Sequence, residues 1–491
     1  MLIQNIFQIK PLVIFYVALQ MFFLIAGLLL DKPILCFLSL AVLVAVLIWI
    51  YDNFGVYLIL IKNLFFGFLI TMFSVPNQLN YIEDLAILIL WVKWLMNKKR
   101  IDLPFAFKKF FLFFSVLFFG FTIAVAFINP LDFMGLITHE RLFLRFILLI
   151  IIFSTISFDY LWKILKICYF TIVFQIPLVL YQYVFIVVLK KITVPRLWVG
   201  NAYMDRTFND YVGGIFGYDA SDVLGISAVI CFLGTIIYLS LNSKQIGLAK
   251  KLFFFLSCLV FLFMPFLSDA KIALLLMPLG VLTDFFFSKE KVSQKSFMFL
   301  YLVLIVVIGM SISGIMNISF EDTFNNFMLS AEAQFKPNEM IQRGESLVYC
   351  FDYLSKRGLL LWGQGMGSHF DPQIKFTDYR IGIYNYQASY LLLEIGLLGT
   401  MMVFVLLLWI PYKINQGVKT PGNNEKVLIH RMFAIMSVFS IIMFFYTNFF
   451  YNPSLTFLYC LITAIAIRSK WPARVNLRGC EYGNIGNYPL V

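Results

Sequence analysis

Charge is scarce in this chain. Only 13% of its 491 residues are charged, against 61% hydrophobic. The stretches between apolar runs never lengthen into a soluble domain. A water-soluble protein of this length cannot hide so much apolar surface, so a soluble fold is excluded. Histidine is nearly absent, and His139, His369 and His430 lie too far apart in sequence to suggest a zinc site. There is no C-x-x-C pair, no glycine-rich dinucleotide fingerprint, no Walker loop and no internal repeat. Of the seven cysteines only Cys350 lies in a large loop, which rules out a disulfide framework there. The first apolar run, Pro11 to Leu30, has no small-residue cleavage site and reads as a span instead of a cleavable leader.

What the chain does have is apolar runs. About fourteen begin near Leu12, Ile34, Val56, Tyr81, Phe110, Leu142, Leu161, Val223, Leu252, Ile272, Phe297, Tyr384, Met432 and Leu455. The expected fold is an all-α polytopic membrane protein of about 12–14 transmembrane helices. Residues 1–491 form one membrane domain. The net charge of +12 does not indicate nucleic acid, because the cations sit in short loops at alternate positions. Lys98–Arg100, Lys163 with Lys166, Lys250 with Lys251, Lys289 with Lys291, Lys413 with Arg431, and Arg468 with Lys470 fall on one side. By the positive-inside rule that side is the cytoplasm, with both termini in it and 471–491 as a cytoplasmic tail.

Two longer segments then lie outside, 190–222 and 316–383. The second carries an amphipathic helix signal: Pro337-Asn338 as the start, Met340, Leu347, Val348, Phe351 and Leu354 as a stripe, and Gly358 as the stop. It is expected to fold back on the membrane domain. The glycines of Trp362–Ser368 (WGQGMGS) read as a flexible turn in preference to a phosphate cradle.

Cations on the outer side are the unusual feature. Arg141 and Arg145, one helical turn apart, share a face at the outer mouth of a span, and Lys271 marks another mouth. Arg206, Arg343 and Arg380 lie in the outer loops. Arginine holds phosphate with a planar, permanently charged fork, so such a cluster suits a lipid-linked diphosphate. The bland alternatives are snorkelling to headgroups for Arg141 and Arg145 and a helical ion pair with Glu339 for Arg343. Lys62 lies within a span, where snorkelling to the cytoplasmic end is the preferred reading over a functional charge. Glu83 and Asp84 suit the dipole of a helix start.

The stretch Gln342–Gly399 carries a resemblance. It has an arginine-led helix, Arg343, in a large outer loop, then the Gly363–Gly367 turn. Asn385 follows at a helix start, and then Leu392-Leu393-Glu394-Ile395-Gly396-Leu397-Leu398-Gly399. This resembles the O-antigen polymerase and ligase family of bacterial envelope glycan enzymes. Leu267–Leu276, around Lys271, resembles the family's Ser-x-x-Arg segment with lysine in place of arginine. Arg206, followed by ten residues and Gly217, resembles its Arg-to-Gly spacing. The ligases carry a histidine where this chain has Tyr384, which favours a polymerase.

The resemblance implies metal- and cofactor-independent glycosyl transfer at the outer face of the bacterial inner membrane. Undecaprenyl-diphosphate-linked oligosaccharide repeat units would be joined into O-antigen, capsule or exopolysaccharide. Arg206, Arg343, Glu345 and His369 are the catalytic candidates, with Glu345 and His369 alternatives for the base. Arg141, Arg145, Lys271, Arg380, Tyr384 and Asn385 are candidates for diphosphate or glycan contact. Membrane lipid, a flippase and a chain-length regulator would be partners. A ligase-type transferase and a lipid-linked oligosaccharide transporter are the alternatives.

Overall fold

In lipid every backbone amide and carbonyl must be satisfied within the protein, and a chain this apolar meets that demand with helices. The computed structural model describes residues 20–23, 25–26, 33–73, 81–96, 105–128, 133–189, 198–199, 202–203, 211–217, 220–242, 245–268, 270–287, 343–366, 387–415, 423–447, 449–450 and 452–471. The chain is an all-α polytopic membrane protein. Its helices are α1 (Pro33–Ile50), α2 (Asp52–Phe73), α3 (Tyr81–Met96), α4 (Phe105–Ile128), α5 (Phe133–Phe153), α6 (Phe158–Phe174) and α7 (Ile176–Gln182). They continue with α8 (Ser221–Asn242), α9 (Leu248–Leu267), α10 (Lys271–Phe287), α11 (Arg343–Lys356), α12 (Gln387–Asn415), α13 (Asn424–Tyr446) and α14 (Pro453–Lys470). Among the described residues, seven helical stretches are long and apolar enough to cross a membrane, one of them comprising α6, α7 and a π-helical turn from Phe158 to Val188. The run near Phe297 and most of the run near Leu12 lie outside the described residues.

Helix ends that the charge pattern assigns to one side do meet. Phe107 in the first turn of α4 packs on Trp409 of α12 and on Trp471, with ring centroids 5.2 and 5.4 Å apart. Trp162 Nε1 of α6 donates to Glu425 of α13 at 2.9 Å. Lys470 Nζ donates to the carbonyls of Lys413 and Ile414, where a cation complements the end of α12. At this end Arg431 is buried against Asp284.

The centre of the bundle is α14. Every residue from Leu455 to Ser469 is buried, and its neighbours include α2, α5, α6 and α13. Two features interrupt the regular helices. The first is a re-entrant turn, Tyr211–Gly217, from the first outer loop. Its residues are buried inside the bundle. Gly67 of α2 makes room for it, because a Cβ there would collide with the carbonyl of Phe216. Gln182 brackets Gly214, accepting from its N–H at 2.7 Å and donating to its carbonyl at 3.1 Å. Gln175, at the α6–α7 turn, accepts from the Ile215 N–H at 3.1 Å. Two glutamines therefore satisfy backbone that water cannot reach. The second interruption is in α12.

Candidate functional site

Helix α12 is broken at Gly396, whose φ of 64° and ψ of −170° suit glycine alone. In an unbroken helix Leu397 N–H would donate to Leu393 O, and Leu398 N–H to Glu394 O. Both bonds are lost, and the segment after α11 replaces both halves of each. Gln364 N–H donates to Leu393 O at 2.9 Å and Gly365 N–H to Glu394 O at 2.7 Å. Leu397 and Leu398 N–H donate to Leu360 O and Leu361 O at 2.9 and 3.3 Å. The stretch from Leu360 to Gly365 is thus a splice into a broken helix, while Gly367 lies outside the described residues. The flexible-turn reading is corrected. The phosphate-cradle alternative fails at Gly363 and Gly365, whose amides are taken by Leu359 O and Glu394 O.

The loop helix α11 is docked by the same unit. Ser346, Cys350 and Leu354 are buried, with Cys350 and Leu354 packed on Leu392 and Leu393. The Ser346 and Ser389 hydroxyls lie 2.8 Å apart. Gly358 ends the helix as the sequence predicts, with φ of 71°. Leu359 N–H returns to Leu354 O and Gly358 N–H to Ser355 O, which is a Schellman cap. The predicted start at Pro337-Asn338 lies outside the described residues, and the described helix begins at Arg343.

Beside this unit runs α5, with two different polar faces. One bears Glu140, whose carboxylate oxygens are occluded and lie by the hydroxyl of Thr122 on α4. Glu394 of α12 is near enough to act on it electrostatically. The other face bears Arg141 and Arg145, and both reach α3. Arg141 lies 3.4 Å from Asp84 and stacks over the Tyr81 ring. Arg145, 6% exposed, lies 3.5 Å from Glu83. Glu83 is fully buried and also binds Lys62 Nζ at 2.6 Å and Asn63 Nδ2 at 2.7 Å.

Lys62 does not snorkel; it is 4% exposed and paired with Glu83. Glu83 and Asp84 are ion-pair partners, beyond any role at the helix start. The Lys62–Glu83–Arg145 group carries two cations for one carboxylate, so it holds one net positive charge. Arg145 Nε and its second terminal nitrogen have no partner among the described residues. Burying charge this way is expensive unless it is paired, which explains why Glu83 is held by three side chains.

Of the other candidates, Lys271 and Arg343 open α10 and α11, and Glu345 lies on α11; their side chains are outside the described residues. Arg206, His369, Arg380, Tyr384 and Asn385 also fall outside. Gly217, the end of the Arg-to-Gly spacing, closes the re-entrant turn with φ of 98° and packs on Gly67. Among the described residues no group of His, Cys, Asp and Glu is placed to hold a metal. His430 lies at the other end, 2.9 Å from Ser469. No protein-family model matches the sequence, and no curated protein matches it.

Proposed function

We propose that the chain is a glycosyltransferase of the bacterial inner membrane, with both termini cytoplasmic. It would extend a glycan carried on undecaprenyl diphosphate by joining it to a lipid-linked repeat unit. One observation supports this reading above others. The two segments that carry the family resemblance, α11 with its glycine turn and Leu392–Gly399, form a single hydrogen-bonded unit. A resemblance spread over two unconnected stretches would carry less weight than one spread over two halves of one structural device.

The chemistry places demands on this chain's residues. The acceptor hydroxyl oxygen forms a bond to the anomeric carbon as the bond from that carbon to the diphosphate oxygen breaks. The diphosphate leaves with the electron pair, and cations stabilise it. Arg206 and Arg343 are assigned that role, with Arg141, about a third exposed, as the third cation. The hydroxyl proton goes to a base, Glu345 or His369. The two polyprenyl tails lie along apolar helix surface.

The test is gel analysis of lipid-linked glycan from cells lacking the gene and from cells carrying Arg206→Ala and Arg343→Ala. The polymerase reading predicts collapse of the ladder to one repeat unit in the deletion and shortening in both variants. Unchanged polymer length in both variants would overturn the assignment. An intact ladder that fails to reach its final acceptor points to a ligase.

A transporter is the second reading, favoured by a broken helix and by charges buried deep within spans. It predicts repeat units trapped on the cytoplasmic side.

A further inference from the structure

Helix α11 has three sides. One is buried on α12 through Ser346, Cys350 and Leu354. A second carries Asp352 and Lys356, an exposed ion pair one turn apart. The third carries Leu347, Val348 and Phe351, which are 36%, 69% and 47% exposed. Apolar surface of this kind costs roughly 25 cal/mol per Å² in water, so a contiguous exposed patch implies a partner.

The next residues show what that partner is. Leu361 and Trp362 are also exposed. Leu361 O accepts from Leu398, and Leu398 begins an exposed apolar stripe that runs through Met401, Val405 and Leu408 of α12. Trp362 stacks on Phe121 of α4, centroids 5.9 Å apart, beside the exposed Ile123. On a polytopic protein those stripes face lipid, and Leu361 and Trp362 continue them.

Depth follows from helix length. From Leu397, just past the break, to Asn415 is nineteen residues. At 1.5 Å per residue that is about 28 Å, close to the ~30 Å hydrocarbon core. Leu361 and Trp362, hydrogen-bonded and packed at the level of the Gly396 break, therefore lie at the outer edge of the core. Tryptophan is favoured there.

We propose that α11 is an interfacial helix. Its Leu347–Val348–Phe351 side lies in the headgroup–acyl boundary of the membrane that the bundle spans, and its Asp352–Lys356 side faces water. The occupant of the apolar side is phospholipid. The inference is independent of the catalytic reading.

The experiment uses the full chain in nanodiscs of phosphatidylethanolamine and phosphatidylglycerol. A benzophenone amino acid is placed at Phe351, where a ring replaces a ring, and separately at Val348 and at Asp352. Irradiation followed by intact-protein mass analysis is expected to give phospholipid adducts at positions 351 and 348, several-fold above position 352. Equal labelling at all three positions overturns the proposal. So does absence of lipid adduct at 351 and 348, and so does crosslinking to a second copy of the chain in place of lipid. The conservative replacement at Phe351 keeps the test valid if either of the other variants fails to fold.

Discussion

Gly363 and Gly396 lie backbone against backbone: a Cβ built on Gly396 would stand 2.5 Å from the amide nitrogen of Gly363. Both have positive φ, 76° and 64°. The contact brings the segment after α11 close enough to supply all four bonds that the break in α12 needs.

Alanine at either glycine should therefore undock the loop. Gly396→Ala adds backbone strain of about 1–3 kcal/mol, before any steric clash with Gly363. The expected result is a lower thermal midpoint in detergent and faster protease cleavage between Leu359 and Met366. An unchanged cleavage rate would mean the splice does not hold the loop.

The charge count around Glu83 makes a ranked prediction. Glu83→Gln leaves Lys62 and Arg145 buried together without a carboxylate, a loss of roughly 3–5 kcal/mol. Lys62→Met leaves Glu83 with Arg145 and Asn63, one cation for one anion, and should cost clearly less. Thermal midpoints of the two variants decide it. A larger loss for Lys62→Met would refute the count.

Gln182→Leu should loosen the re-entrant turn. It orphans the buried N–H of Gly214, at about 1–3 kcal/mol, and leaves its carbonyl with the 3.4 Å bond from Gly217 N–H. Hydrogen exchange at Gly214 should rise in the variant, with little change in α13. Equal exchange in wild type and variant would show that the glutamine is not needed.

Cys350 reports the docking of α11. Burial pushes its thiol up to about 12. At pH 8 an ordinary thiol near 8.5 is roughly a quarter ionised, and this one about one part in ten thousand, so maleimide labelling should be slow. The sign is set by the raised value. Docking is fully stable below the ordinary thiol pKa and weakens as pH climbs toward 12. Peptide-resolved alkylation should accelerate steeply across that window, and at pH 8 in Gly396→Ala. Fast labelling of the wild type at pH 8 would show that α11 is not docked.

Much of the fold can be read from sequence because lipid leaves few options. Apolar runs become helices, and Gly358 stops α11 because only glycine relaxes into the left-handed cap. Arg141 and Arg145 share a face by helical spacing alone. What they face is not written locally, since Glu83 and Asp84 come from another helix. Lys62 looked close enough to water to snorkel, because a sequence shows depth along one helix and not the carboxylate waiting on the next. The available signal is Glu83, an acid at the start of the following apolar run. The splice at Gly396 was hidden for a similar reason. Glycines in a loop signal freedom, and only the partner segment shows that the freedom is spent on close approach.

Helix α14 has a consequence for how the molecule is made. The helices that enclose it, α2, α5, α6 and α13 among them, all leave the ribosome first, and Ser454 must find the carbonyl of Asn63, 391 residues earlier. At about 5–20 residues per second, α2 waits tens of seconds in the bilayer for that contact. Until α14 is made, the earlier helices must hold an unfilled slot for it, which leaves the nascent chain most vulnerable in that interval.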